Sequence, residues 1–253
     1  MQLADKVALV TGGAHRVGKA ITMMLAAHGV HVIINYNSSA QAAMQTKQEA
    51  ESHNIEAMAV QCDVSDLASV QSMVDAIESH FGGVDILVNA ASLFGRFKVP
   101  TSNEKHLDLW HKVTGISING TFYLTNLLAP RMTERAKESG ESGAIVNIVD
   151  LSIWQPWPSF TAHAVGKSGI LTLTQQFALE LAPHIRANAV APGMVLPPPD
   201  TSDERNEALA KRNLLKRWGI PKDVANTVKF LVESNFITGE VIKVDGGEHI
   251  ASQ

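Results

Sequence analysis

The chain has 253 residues, 45% of them hydrophobic and 18% charged, which is enough to bury one large core and suits one domain better than two. Its net charge of −4, with Lys and Arg scattered evenly, leaves no basic face to follow a phosphate backbone and argues against a nucleic-acid partner. A lone cysteine, Cys62, excludes an internal disulfide, and no run of about 18 apolar residues offers a membrane span.

Residues 1–6 lead directly into a strand without an apolar signal segment, so a soluble, cytoplasmic protein is expected. Short β-branched runs at 7–10, 31–36, 57–61, 86–89, 144–149, 185–190 and 240–244 alternate with longer amphipathic stretches. Strands separated by helices predict an α/β fold: a Rossmann-type, doubly wound parallel sheet of seven strands in a single domain over residues 1–253.

The first helix is expected to begin near Gly18, bury Ile21, Met24 and Leu25, and end at Gly29 in a C-cap position. Asp66 can cap a helix that reaches Phe81 before Gly82 and Gly83, and Pro221 can open the helix that carries Val224, Val228 and Leu231. The Pro-rich stretch 196–199 reads as a loop leading into a helix, within a substrate loop around 194–213.

The run from Thr11 to Gly18 (TGGAHRVG) lies between the first strand and the first helix. There, glycines let backbone N–H groups approach a pyrophosphate at the positive end of a helix. Gly12, Arg16 and Val17 are the cofactor candidates in this turn. About twenty residues on, an NAD-selective fold would present Asp or Glu to the ribose 2′-hydroxyl. This chain has Asn35, Tyr36, Asn37, Ser38 and Ser39 instead, so no carboxylate repels a 2′-phosphate. Arg16, helped by Asn37 and Ser38, could bind that phosphate through a charge-assisted contact, which favours NADPH; a solvated surface charge is the alternative for Arg16.

With these residues in place the chain resembles the short-chain dehydrogenase/reductase family. The same order holds for Cys62-Asp63-Val64 after the third strand, Asn89 to Ser92 after the fourth, Asn119, Pro192-Gly193, and the closing run 237–247. The resemblance implies that Asp63 and Val64 contact adenine, Asn89 and Ala91 lie along the ribose, Lys167 holds ribose hydroxyls, and Pro192 and Gly193 flank the carboxamide. Asn89 could instead tie two strands together. A homotetramer, with contacts from helices around 104–130 and 163–182, is likewise implied by resemblance alone.

Within that family the chain looks similar to the pteridine reductases. Arg16 replaces the middle glycine of the turn, residues 89–94 (NAASLF) resemble their Asn-Asn-Ala-Ser-x-Phe segment with Ala90 in place of one asparagine, and Asp150 stands thirteen residues before His163. By that resemblance Phe94 would stack on a flat heterocycle and Ser92 would lie beside it; ordinary packing is the other reading of Phe94.

Where the family carries its proton-donating tyrosine, four residues before the lysine, this chain has His163. Reduction of C=O or C=N needs a hydride from the nicotinamide and a proton for the heteroatom. His163 and Lys167, at i and i+4, share one helix face. Imidazole is a competent proton donor near neutrality, and a carboxylate beside the ring stabilises its charged form. Asp150 and His163 are therefore expected to form the acid, with Lys167 anchoring the ribose. Asn119 is expected to hold a relay water behind the lysine, or to mark a helix kink. Tyr36 and Tyr123, the two tyrosines, stand elsewhere.

Trp154 and Trp157 are expected to border the substrate space, with Met194 and Leu196 as a lid, or else to pack a subunit contact. The ten histidines show no metal-ligand spacing, so no metal is expected. The function that follows is an NADPH-dependent reductase of small carbonyl or imine compounds, pterin-like ones foremost. The alternatives are a catalytically impaired nucleotide-binding protein of the same fold and an oxoacyl-thioester reductase, for which Asp150 is the adverse feature.

Overall fold

A computed structural model of the chain describes residues 1–197 and 202–251. Its strands are β1 (Val7–Val10), β2 (His31–Tyr36), β3 (Ala57–Gln61), β4 (Ile86–Asn89), β5 (Gly143–Ile148), β6 (Ile185–Pro192) and β7 (Val241–Val244). They pair in the order β3-β2-β1-β4-β5-β6-β7, every pair parallel. Parallel neighbours need crossovers, and these are α1 (Arg16–Ala26), α2 (Ala40–Glu51), α3 (Leu67–Phe81), α4 (Glu104–Thr114), α5 (Gly120–Ser139), α6 (Thr161–Glu180), α7 (Asp203–Ala210) and α8 (Pro221–Glu233); the short α9 (Glu248–Ala251) follows β7.

Alternation along the strands sorts the core into two layers. Ala8, Val10, Val32, Ile34, Ile86 and Val88 pack with Ile21 and Leu25 of α1 and Val228 and Leu231 of α8. Leu9, Ile33, Leu87 and Ile145 pack with Met73 and Ile77 of α3 and Leu128 and Met132 of α5. Each such aliphatic side chain, fully buried, contributes roughly 1.5–3 kcal/mol.

The chain builds β2 and β3 outward from β1, then returns to set β4 on the other side of β1. The winding reverses there, and the crossovers part to leave a crevice at the carboxyl ends of the central strands.

Element boundaries follow the sequence closely at β1 to β4. β5 starts one residue earlier than expected, β6 extends two residues further, to Pro192, and β7 begins at Val241. α1 starts at Arg16 rather than Gly18 and ends at Ala26, so Gly29 (φ 80°) lies beyond the cap, its N–H bonded to Ala26 O at 3.0 Å. Asp66 caps α3 by accepting from Ala68 N at 3.2 Å, and Gly82 closes that helix at φ 68°.

The expected long helix around 104–130 is interrupted by a π-helical stretch, Gly115–Asn119, between α4 and α5. A π turn holds an extra residue and rotates every following side chain relative to a plain α-helix. Of the expected substrate loop 194–213, residues 198–201 lie outside the described residues; α7 occupies its second half, with the Ser202 hydroxyl accepting from Arg205 N at 3.4 Å.

Candidate active site

The glycine turn between β1 and α1 is shaped by backbone contacts that exclude side chains. A Cβ on Gly18 would lie 2.2 Å from Gly12 O, and one on Gly12, itself at φ 61°, would lie 3.1 Å from Ala91 Cα. Thr11 Oγ1 accepts from Ala90 N at 2.9 Å and Ala91 N at 3.0 Å, joining the turn to the end of β4. Asn35 reaches across with Oδ1 3.4 Å from Gly12 N while its Nδ2 donates to Cys62 O at 3.0 Å, so it braces the turn against the end of β3.

These contacts leave a cleft of about 240 Å³ at the start of α1. Gly12, Asn35, Tyr36, Asn37, Ser38, Asp63, Val64 and Ala91, all expected at the cofactor, line it, and Ser92, expected beside the substrate ring, lines it with them. His15 and Ser39 also line it and were missed; the signal available was their position directly beside residues already chosen. Arg16 stands exposed on the first turn of α1 in the left-handed region (φ 49°), with Val17 half-buried beside it.

Asn89 takes the alternative that the sequence left open, a tie between strands. Its Nδ2 donates to Asn147 Oδ1 at 2.8 Å, and Asn147 in turn donates to Thr174 Oγ1 at 2.8 Å, so the side chain ties β4 to β5 and α6. Pro192 ends β6, and Gly193 donates to Val244 O at 3.0 Å; a Cβ there would lie 2.7 Å from Asp245 Cβ. The cleft opens over Gly12 at the N-terminus of α1, the arrangement that a dinucleotide's pyrophosphate needs, and no carboxylate between residues 35 and 39 opposes a 2′-phosphate.

At the end of β5 the chain turns through Asp150 into a 3-10 turn, Leu151–Ile153, and α6 then brings His163 and Lys167 underneath on one buried face. His163 Nε2 lies 2.5 Å from Asp150 Oδ2. Lys167 Nζ donates to Ile148 O at 2.8 Å, which leaves two of its three N–H donors for other acceptors. Burial lowers the pKa of Lys167 below the ordinary 10.5, against the opposing pull of the Asp150 charge. Burial pushes Asp150 up, but the hydrogen bond from His163, the charges of Lys167 and His163, and the Ser152 hydroxyl together hold its carboxyl below the ordinary 3.8.

Asp150 sits between a serine and a histidine. In a nucleophile triad the histidine occupies the middle and draws the serine proton. Here the carboxylate intervenes, so the arrangement suits storing and handing over a proton rather than activating Ser152 as a nucleophile.

Aromatic rings close around the imidazole. Phe94, 63% exposed, meets His163 edgewise at 4.9 Å and Phe160 at 4.6 Å, while Trp157 lies nearly parallel to the His163 ring at 6.2 Å. Phe94 and Trp157 thus border the expected substrate space. Trp154 does not meet His163: its ring lies 4.2 Å from Lys243 Nζ, turned toward β7. Met194 and Leu196 are half-buried at the start of the expected loop, with Met194 O accepting from Gly219 N at 2.9 Å.

Asn119 is also displaced from its expected place. It is exposed and lines a surface hollow with Trp110, Thr114 and Val165, whereas Ser117, 2% exposed, faces α6, where a Cβ on Gly166 would lie 2.8 Å from Ser117 Oγ. Both residues belong to the π-helical stretch Gly115–Asn119, where the register is not that of a plain α-helix. Among the described residues no group of three His, Cys, Asp or Glu side chains could hold a metal ion, and no helix is long and apolar enough to cross a membrane.

A family model described as enoyl-(acyl carrier protein) reductase matches residues 12–249. The chain is 32% identical over 251 residues to the 3-oxoacyl-(acyl-carrier-protein) reductase FabG of Staphylococcus epidermidis, covering 97% of this chain and 100% of that one. It is 30% identical to glucose 1-dehydrogenase 2 of Bacillus subtilis, over 97% of this chain and 95% of the other. Among solved structures, FolM alternative dihydrofolate reductase 1 of Brucella canis, complexed with NADP, is similar with a TM-score of 0.87 and 32% identity, covering 99% of this chain and 96% of that one.

Proposed function

The chain belongs to the short-chain dehydrogenase/reductase family of NAD(P)-dependent oxidoreductases, and we propose that it is an NADPH-dependent reductase of C=O or C=N bonds in small, flat heterocyclic, pterin-like compounds, with Asp150 and His163 as its acid. The observation that carries this reading is the buried pair itself, Nε2 to Oδ2 at 2.5 Å, directly beside Phe94.

When bound, the nicotinamide supplies the hydride that reduces the carbon. The chain's own residues do the rest. The two free donors of Lys167 would hold ribose hydroxyls, and Arg16 with Asn37 and Ser38 would receive the 2′-phosphate. Phe94 offers its exposed face to a flat ring. The heteroatom of the reduced bond would take its proton from the Asp150 and His163 pair. The couple then returns to neutral imidazole and carboxylate and is recharged from solvent.

The oxoacyl-thioester reduction named for FabG is the second reading, favoured by 32% identity over nearly the whole of both chains. If the chain forms a homotetramer joined through α5 and α6, as the family resemblance implies, the exposed Phe122 (45%) and Val165 (41%) would lie on the faces that meet.

The test is NADPH oxidation by the wild type, His163→Tyr and His163→Ala on dihydropterins, diketones and oxoacyl thioesters between pH 5 and 9. Turnover of dihydropterins by the wild type and its loss in His163→Ala is the expected result. Activity confined to His163→Tyr would overturn the acid role, and activity confined to thioesters would replace the substrate class.

A further inference from the structure

Ser152 is 5% exposed and lies inside the 3-10 turn that follows Asp150. Its backbone N–H donates to Asp150 Oδ1 at 2.9 Å and its hydroxyl donates to the same oxygen at 2.5 Å. We propose that Ser152 is the positioning residue of the acid pair: it clamps Asp150 Oδ1 so that Oδ2 alone is presented to His163 Nε2. The inference rests on the proposed acid role of that pair and adds a residue that the family resemblance does not supply.

The physical case starts from the carboxylate's freedom. An Asp carboxylate rotates about its last bond in a broad, roughly two-fold well, so either oxygen can face a partner and many intermediate angles are populated. Two donors from one residue on one oxygen remove that freedom. The backbone donor alone is an ordinary cap; the hydroxyl adds a charge-assisted bond of the shorter, stronger kind.

The clamp also bears on charge. The charged groups that act on Asp150 are Lys167 and His163, both from α6, while its other neighbour, Ser152, contributes a neutral donor. The rings around His163 are uncharged: Phe94, Trp157 and Phe160. Removing the hydroxyl therefore takes away one stabiliser of the carboxylate and leaves the rest. A donor to a charged group is worth enough to change proton affinity by about tenfold.

The reporting signal is the Nε2–H proton resonance of His163, displaced downfield by its bond to a carboxylate, followed as pH falls in wild type, Ser152→Ala, Ser152→Cys and Ser152→Thr. In the wild type the signal should persist until Asp150 takes a proton. In Ser152→Ala and Ser152→Cys it should vanish at a proton concentration about tenfold lower, and Ser152→Thr, which restores a hydroxyl, should match the wild type. Ser152→Cys keeps a polar group at this place with only the weak donor of a thiol, and carries the test if Ser152→Ala does not fold. Equal persistence of the signal in every folded variant, with only the melting temperature lowered, would overturn the proposal and leave Ser152 a plain structural cap.

This readout needs no turnover. If His163→Ala reduces substrates as well as the wild type, the acid reading fails whatever the resonance does; if the resonance is insensitive to Ser152 while His163→Ala is inactive, the clamp fails and the acid reading stands. Where both hold, Ser152→Ala should lower kcat about tenfold with little change in KM for NADPH.

Discussion

Arg16→Gly should make the free protein more stable and its NADPH binding weaker. Arg16 sits at φ 49°, a left-handed conformation that strains a residue with a Cβ by roughly 1–2 kcal/mol. Glycine relieves that strain but loses about 0.5–1 kcal/mol of its own through greater freedom in the unfolded chain. The net gain is therefore about 0–1.5 kcal/mol, an upward shift of up to about 6 °C in the melting temperature of a chain this size. The opposite effect falls on the cofactor. A charge-assisted contact to a 2′-phosphate contributes about 1.5–3 kcal/mol, so NADPH affinity should drop about 10- to 150-fold while NADH affinity stays unchanged. Arg16→Ala separates the two effects, because alanine keeps the strain and removes the charge: its melting temperature should match the wild type while its NADPH affinity falls as in the glycine variant. Thermal melts without cofactor and fluorescence titrations with NADPH and NADH supply both quantities. Equal losses for the two cofactors would refute the 2′-phosphate role, and a lower melting temperature for Arg16→Gly would refute the strain argument.

The remaining predictions concern the acid pair, the glycine turn, a buried ion pair and assembly. Asp150 is held below its ordinary 3.8, so the native state binds fewer protons there than the unfolded chain; its stabilising contribution is complete above that value and fades as pH falls through the lowered one. Urea denaturation should accordingly show Asp150→Asn less stable than the wild type at pH 7 and the gap closing in acid below pH 3.8, whereas a gap independent of pH would argue against the lowered carboxyl. Gly18→Ala would force a Cβ to within 2.2 Å of Gly12 O, so calorimetry should find cofactor binding lost together with a lower melting temperature. Arg135 holds Asp85 through two bonds, at 3.0 and 2.7 Å, from a side chain 22% exposed; Arg135→Met should cost about 3 kcal/mol in denaturant titrations, the low end for breaking a buried pair. Phe122→Asp combined with Val165→Asp should reduce the mass seen by light scattering if α5 and α6 join subunits, and an unchanged mass would place the contact elsewhere.

Much of this protein was determined by the sequence alone, wherever neighbours along the chain carry the information. Short β-branched runs placed all seven strands to within about two residues, because strands covered on both faces read as continuous apolar stretches between the helices. Asp66, Gly82 and Pro221 marked helix ends for reasons of capping and fixed φ that act within a turn. The spacing of His163 and Lys167 put them on one face of α6, and counting back to Asp150 found the partner that the structure brings to 2.5 Å. Other placements depended on distances across the chain. In the π-helical stretch Ser117 faces inward and Asn119 outward, and no local pattern announces where a helix departs from the α register. Parallel pairing of β4 and β5 set Asn89 against Asn147, a register that exists only once two strands are side by side. Trp154 turned to Lys243, 89 positions away in number but one strand away in space, and Ser152 gained its meaning from the oxygen of Asp150 that it holds. Periodicity and capping act over one or two turns of chain, whereas the orientation of a side chain in a site depends on surfaces that meet only after folding.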